Sequence, residues 1–171
     1  MRVVTPKTPV DECLWGGDTP SIFLGGSIEM DAAEQWQAVV IDRLTHHNVV
    51  LLNPRRDDWD SKITQRADDS QFRQQVEWEL SMLEASDLIM LYFQPGTVSP
   101  ISLLELGLFA SVPYQNIVVC CPEGFHRKGN VDIICERYHV PSCNTFEELL
   151  NYTEAWIKEV IMFRGNEYGT I

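Results

Sequence analysis

The chain has 171 residues, 44% of them hydrophobic, a length suited to a single domain that buries its own core. Asp and Glu number 25 against 13 Lys and Arg, and a formal net charge of -12 repels nucleic acid polymers and anionic membrane surfaces. No stretch approaches the ~20 apolar residues of a membrane span. The opening MRVVTPKTPVDECLWGG has no apolar signal core, so a cytoplasmic protein is expected.

Residues 1–19 are expected as an N-terminal arm of one domain spanning 1–171. Ser21 to Leu24 is the first strand candidate, followed by GGSIEMD from Gly25 to Asp31. That loop has neither GxGxxG nor GxxxxGK[ST], and Glu29 and Asp31 would repel a phosphate at the next helix, which argues against flavin, dinucleotide and ATP binding. The helix is expected to open at Asp31, with Glu34 three residues on, and to carry Trp36, Val40 and Leu44 inward. Val49 to Leu52 is the second strand candidate.

The polar interval from Asn53 to about Asp68 contains NPRRDDWDSK and follows a strand at its carboxyl end, where open α/β sheets bind ligands. Arg55 and Arg56 can neutralise Asp57, Asp58 and Asp60, recruit a phosphate or bridge subunits; the first is favoured. The three aspartates are expected as a solvated acidic loop rather than a magnesium site, because magnesium usually takes phosphate as a co-ligand. Trp59 can stack on a planar ligand or cover core.

In the next helix, at 100° per residue, Phe72, Val76 and Leu83 share a face with Glu79, while Glu77 and Glu84 fall away. After the strand candidate Leu88 to Phe93, SPISLLELGLFAS starts a helix with Ser99 as N-cap and Pro100 as first residue. Glu105 is expected to share a face with Ile101, Leu108 and Phe109, with no cation within one turn and Gly107 leaving room nearby. A carboxylate so placed either finds hydrogen bonds at a pocket or has its pKa raised by desolvation. Structural roles stay open for both acids: Glu79 reaching water, Glu105 paired with a distant Arg.

Ile117 to Cys121 is the fourth strand candidate and Val140 to Cys143 a weak fifth. The last helix opens with the Thr145 and Glu148 capping pair and places Leu149, Tyr152, Trp156, Val160 and Phe163 on one stripe. Strands alternating with helices predict a parallel sheet covered on both faces. Cys13, Cys120, Cys121, Cys135 and Cys143 are odd in number and contain no CxxC, so buried reduced thiols are expected. Cys135, His139 and Cys143 have helical i, i+4, i+8 spacing but no fourth ligand, and no metal is expected. Neither a GxSxG elbow nor a sequence-evident base beside Cys120 or Cys121 suggests another nucleophile.

The segments IFLGGSIE, LNPRRDDWD, FRQQVEWEL, SPISLLELGLFA and VVCCPEGFHRKGNVDIICERY resemble the nucleoside 2-deoxyribosyltransferase-like family, in its NPRRDDWD-containing branch. The resemblance runs from about Ser21 to Phe146. It implies a flavodoxin-like (Rossmann-like) three-layer α/β fold with a five-stranded parallel sheet, and a retaining exchange of the nucleobase of 2'-deoxyribonucleosides, in nucleotide salvage. It implies that Glu105, in the ELG motif, is the nucleophile. The acid eight positions before Asp87, which is Glu79, handles the proton of the base. Substrate contacts are implied for Gly25 and Ser27, for Asn53, Asp58 and Trp59, and for Ser99 and Ser102. Asn130 is implied to reach the sugar 5'-hydroxyl of a neighbouring copy, hence a homo-oligomer with shared active sites. No cofactor is implied. Phe23 stands where the family has a Tyr that orients the nucleophile, and Ser99 where it has a sugar-binding Asp. Hydrolysis of nucleosides or their 5'-monophosphates, with Arg55 or Arg56 on a phosphate, and a non-catalytic nucleotide-binding role remain alternatives.

Overall fold

The computed structural model describes residues 1–13, 19–28, 34–56 and 63–167, with side chains to 164. Six parallel strands, β1 (Arg2–Val4), β2 (Ser21–Gly26), β3 (Val50–Leu52), β4 (Leu88–Tyr92), β5 (Ile117–Cys120) and β6 (Ser142–Cys143), line up in the order β1-β3-β2-β4-β5-β6. The helices are α1 (Val10–Cys13), α2 (Trp36–Arg43), α3 (Ser70–Ala85), α4 (Pro100–Phe109), α5 (Lys128–Tyr138) and α6 (Phe146–Glu167). With β1 set aside, the order is the doubly wound Rossmann-like pattern, whose direction reverses between β2 and β4.

The sheet has six strands rather than five, because the expected arm contributes β1. Val3 pairs with Leu51, and Val4 is buried. A three-residue strand in front of Pro6 is too short to announce itself by periodicity. Along the strands, alternate residues enter opposite layers. Phe23, Leu91 and Val119 pack with Trp78 and Met82 of α3, Leu106 and Phe109 of α4, and Val131 and Cys135 of α5. Ile22, Leu24, Met90 and Val118 pack with Trp36 and Val40 of α2 and Leu149, Leu150 and Ile157 of α6. Each fully buried Leu or Ile contributes about 1.5–3 kcal/mol.

Trp36, Val40 and Leu44 are buried as expected. The α2 start differs: its first residue is Trp36, so Glu34 precedes the helix, and the expected cap Asp31 lies outside the described residues. The capping pair of α6 forms, with Thr145 Oγ1 accepting from the Glu148 amide at 3.2 Å and Glu148 Oε2 accepting from the Thr145 amide at 3.0 Å. The buried stripe of α6 is Leu149, Leu150, Thr153 and Ile157, whereas Tyr152 and Phe163 are exposed; neighbouring helical stripes differ by one residue, and packing selects between them. The described cysteines carry no disulfide, and all but Cys143 are buried. Cys135, His139 and Cys143 do not share a helix, because His139 takes a left-handed conformation (φ 57°) at the end of α5 and Cys143 lies in β6. Among the described residues no group of three metal-ligating side chains converges, and no helix is long and apolar enough to cross a membrane.

Candidate active site

The strand order reverses between β2 and β4, and the crevice beyond their carboxyl ends is where such sheets bind ligands. The backbone there is crowded. A Cβ at Gly26 (φ 141°) would stand 2.2 Å from the Tyr92 carbonyl oxygen, and one at Gly25 would stand 2.7 Å from Leu91. Glycine at both positions lets β2 end tightly against β4.

Ser27, fully buried, ties the two loops together. Its Oγ lies 2.6 Å from Ser99 Oγ and 2.8 Å from Thr97 Oγ1 and accepts from the Gln94 amide at 2.9 Å, while its carbonyl accepts from Trp36 Nε1 at 2.9 Å. Thr97, which the sequence reading missed, completes the cluster at 3.1 Å from Ser99 Oγ. Ser99 precedes α4 as expected, but its hydroxyl joins this cluster instead of capping the helix, and its backbone is left-handed (φ 44°, ψ 54°). A non-glycine residue in that conformation is strained, and the buried hydroxyl bonds hold it.

That geometry aims α4 so that Ser102, Glu105, Leu106 and Phe109 face inward. Ile101 and Leu108, expected beside Glu105, are 58% and 50% exposed instead. The helix is apolar all round, so periodicity could not choose its buried face. Gly107 also faces outward, so the room it leaves is not beside Glu105. Glu105 is only 8% exposed, and no hydrogen-bond donor from the described residues reaches its carboxylate. Phe23, fully buried in the core, offers no hydroxyl for that purpose. Burial first, and then the Glu79 charge, push the Glu105 pKa up to about 8.

Glu79 comes from α3. Asp69 caps that helix, accepting from the amides of Gln71 and Phe72 at 3.0 and 3.1 Å. Gln75, Trp78, Met82 and Leu83 form its buried stripe; Phe72 and Val76 are half-buried, and Glu79 lies at the stripe's edge. Glu77 and Glu84 face solvent, as expected. Burial raises the Glu79 pKa, and the Gln75 side chain opposes the rise. Gln75 Nε2 donates to Glu79 Oε1 at 2.7 Å and to the Pro54 carbonyl at 3.0 Å, joining the acid to the loop after β3. Sequence reasoning passed over Gln75, although its position four residues before Glu79 on one helix was a usable signal. Glu79 loses its proton first, so the repulsion of the pair is felt by Glu105.

Asn53 spends its side chain locally, its Oδ1 accepting from the Arg55 amide at 3.1 Å, which starts the turn after β3. Asp58 and Trp59, with Asp57 and Asp60, lie outside the described residues. Asn130 is exposed in the first turn of α5. The grooves beside β6 include neither glutamate; the larger, about 630 Å³, is lined by Lys128, Asp132, Cys135 and His139 among others.

The family model described as nucleoside 2-deoxyribosyltransferase like matches residues 19–125, more than half of the chain. The chain belongs to this nucleoside 2-deoxyribosyltransferase-like family. The span that carries the family likeness includes Glu79, Glu105 and the hydroxyl cluster, and it ends before Asn130. A comparison with curated proteins finds no match. Among solved structures, a conserved protein from Enterococcus faecalis V583 is similar with a TM-score of 0.56 and 14% identity, covering 82% of this chain and 98% of that one. That likeness is one of fold.

Proposed function

We propose that this member of the family is a nucleoside 2-deoxyribosyltransferase, a glycosyltransferase that exchanges the nucleobase of 2'-deoxyribonucleosides. The observation that carries the reading is the pair of desolvated carboxyls, Glu105 and Glu79, interacting across neighbouring helices beside the switch point. Such a pair holds a single proton over a range of pH, which supplies one nucleophile and one acid.

The Glu105 carboxylate attacks C1' as the bond from C1' to the base nitrogen breaks through an oxocarbenium-like transition state. Glu79 delivers a proton to the departing base. A second base then attacks C1' of the glycosyl ester and yields its proton to Glu79, and Glu105 leaves as carboxylate with the configuration at C1' retained. In the empty site the shared proton rests on Glu105, the more strongly perturbed acid. Substrate binding therefore transfers it to Glu79 before attack. Gly25 and Ser27 shape the floor beside the sugar, Ser102 and Ser99 flank the nucleophile, and Asn53, Asp58 and Trp59 are assigned to substrate contact by the family resemblance. Asn130, exposed at the start of α5, reaches the 5'-hydroxyl in a neighbouring copy. The reaction uses no cofactor.

The test is deoxyinosine incubated with and without adenine, with products resolved by chromatography, for wild type and Glu105→Gln. Adenine-dependent formation of deoxyadenosine by wild type alone supports the transferase. Free hypoxanthine and sugar released regardless of adenine would make the chain a hydrolase, and no turnover of any nucleoside sinks both enzymatic readings.

A further inference from the structure

The proposed reaction uses none of the five cysteines, and two of them meet. Cys120 ends β5, Cys143 ends β6, and the register of these parallel strands sets the two directly opposite each other. Residues opposite one another on adjacent strands project to the same face, and both side chains pack in the layer beneath α2 and α6. Their thiols hydrogen-bond to each other. Neighbouring strands run about 4.8 Å apart, inside the roughly 4.4–6.8 Å between Cα atoms that a disulfide spans. Cys121, next in the chain, enters the opposite layer with Cys135.

The two thiols differ in access. Cys120 is fully buried, whereas Cys143 is half-buried and lines both grooves beside β6, together with Pro141, Ser142 and Asn144. Even the smaller groove, about 300 Å³, has room for a small oxidant, since a water molecule takes up only ~30 Å³ of the liquid. They also differ in reactivity. The hydrogen bond from Cys120 holds the Cys143 thiol below its ordinary range, against burial and the nearby Glu148 carboxylate. The same bond, with burial, pushes the Cys120 thiol up. A reachable thiol with thiolate character beside a buried partner is the arrangement of cysteines that sense oxidation.

We propose that Cys143 and Cys120 are a reversible redox pair, in which Cys143 reacts with hydrogen peroxide and Cys120 resolves the product into a disulfide between β5 and β6. The Cys143 sulfur attacks one peroxide oxygen and the O–O bond breaks. The hydroxide released takes up the proton that Cys143 gave up on ionising. Cys143 is then a sulfenic acid, oxidised by two electrons as the peroxide is reduced. The Cys120 sulfur attacks the Cys143 sulfur, the S–O bond breaks, and the hydroxyl leaves as water with the Cys120 proton. Two thiols and one hydrogen peroxide thus become one disulfide and two waters, and a thiol reductant restores the pair. The link reinforces the backbone bonds that the Val119 and Cys121 amides donate to Pro141 and Cys143 at 2.9 and 3.1 Å, at a sheet edge formed by a two-residue strand. It rests on these cysteines alone and is independent of the reaction proposed above.

The full chain, first reduced and then exposed to equimolar hydrogen peroxide, tests it. Wild type is expected to lose the mass of two hydrogens, and its free thiols counted in denaturant to fall by two from five. Digestion without reductant should yield a linked peptide that dithiothreitol separates, and its fragmentation should place the bond between Cys120 and Cys143. Cys143→Ser should form no link and consume peroxide at least ~10-fold more slowly. Cys120→Ser should leave Cys143 as a sulfenic acid that dimedone traps. Should Cys120→Ser fail to fold, wild type and Cys143→Ser, whose change is at a half-buried edge position, decide alone. No link in folded wild type, a link through Cys121 or Cys135 instead, or peroxide consumption unchanged in Cys143→Ser would each overturn the inference.

Discussion

Gln75 donates to Glu79 at 2.7 Å, while Glu105 receives no donor from the described residues. That asymmetry sets the order in which the two carboxyls ionise, because a donor favours the charged form and burial alone disfavours it. Gln75→Leu removes the donor and the link to Pro54. The Glu79 pKa then rises further, and the acid limb of the rate profile is expected to move to higher pH. Stability falls by about 1–3 kcal/mol from the unsatisfied buried groups. Kinetics across pH separate this from simple destabilisation, which leaves the limb in place.

Wild-type activity should follow a bell. Below the pKa of Glu79 both carboxyls are protonated and no nucleophile exists; above about 8 both are charged and no acid remains. The alkaline limb is expected near 8, and initial rates of base exchange against pH locate it. A rate that keeps rising well past that pH removes the shared proton from the mechanism.

Glu105→Gln should lower exchange by at least ~10³-fold. It also has an effect that substrate cannot mask. Folded Glu105 keeps its proton to about 8 while the unfolded group titrates at its ordinary 4.5, so the folded state binds more protons between those values. Its contribution to stability is full below 4.5 and is lost as pH rises toward 8. Denaturant titrations at several pH values should show the wild-type Glu105 contributing a loss on the order of 5 kcal/mol across that window, with that part of the slope absent in Glu105→Gln and a smaller slope left by Glu79, whose pKa burial also raises.

Gly26→Ala places a Cβ 2.2 Å from the Tyr92 carbonyl at a φ of 141°. The strand pairing must open at the switch point, and a loss of more than ~3 kcal/mol is expected, read as a lowered melting temperature or insoluble expression. A variant as stable as wild type would mean that β2 does not end against β4 in this way.

Much of the site was legible because its residues violate their surroundings. Two glutamates that share helix faces with apolar residues stand out by pattern, and the resemblance assigns them roles. The faces were less legible. Ile101 and Leu108 were expected beside Glu105 and turned out exposed, since a helix apolar on every side has no periodicity to read. Ser99 was expected to cap α4, and its hydroxyl went to Ser27, 72 positions away.

The sequence by itself determined the alternation of strands and helices and the Thr145 and Glu148 cap, and it singled out Glu79 and Glu105 as the candidate acids. Each of these depends on local spacing or on one residue's chemistry. Only the tertiary structure decided that Arg2–Val4 joins the sheet, that Gln75 ties Glu79 to Pro54, and that Glu79 acts on Glu105. These depend on partners remote in the chain, and on how much water each packed face retains. Local patterning carries neither quantity.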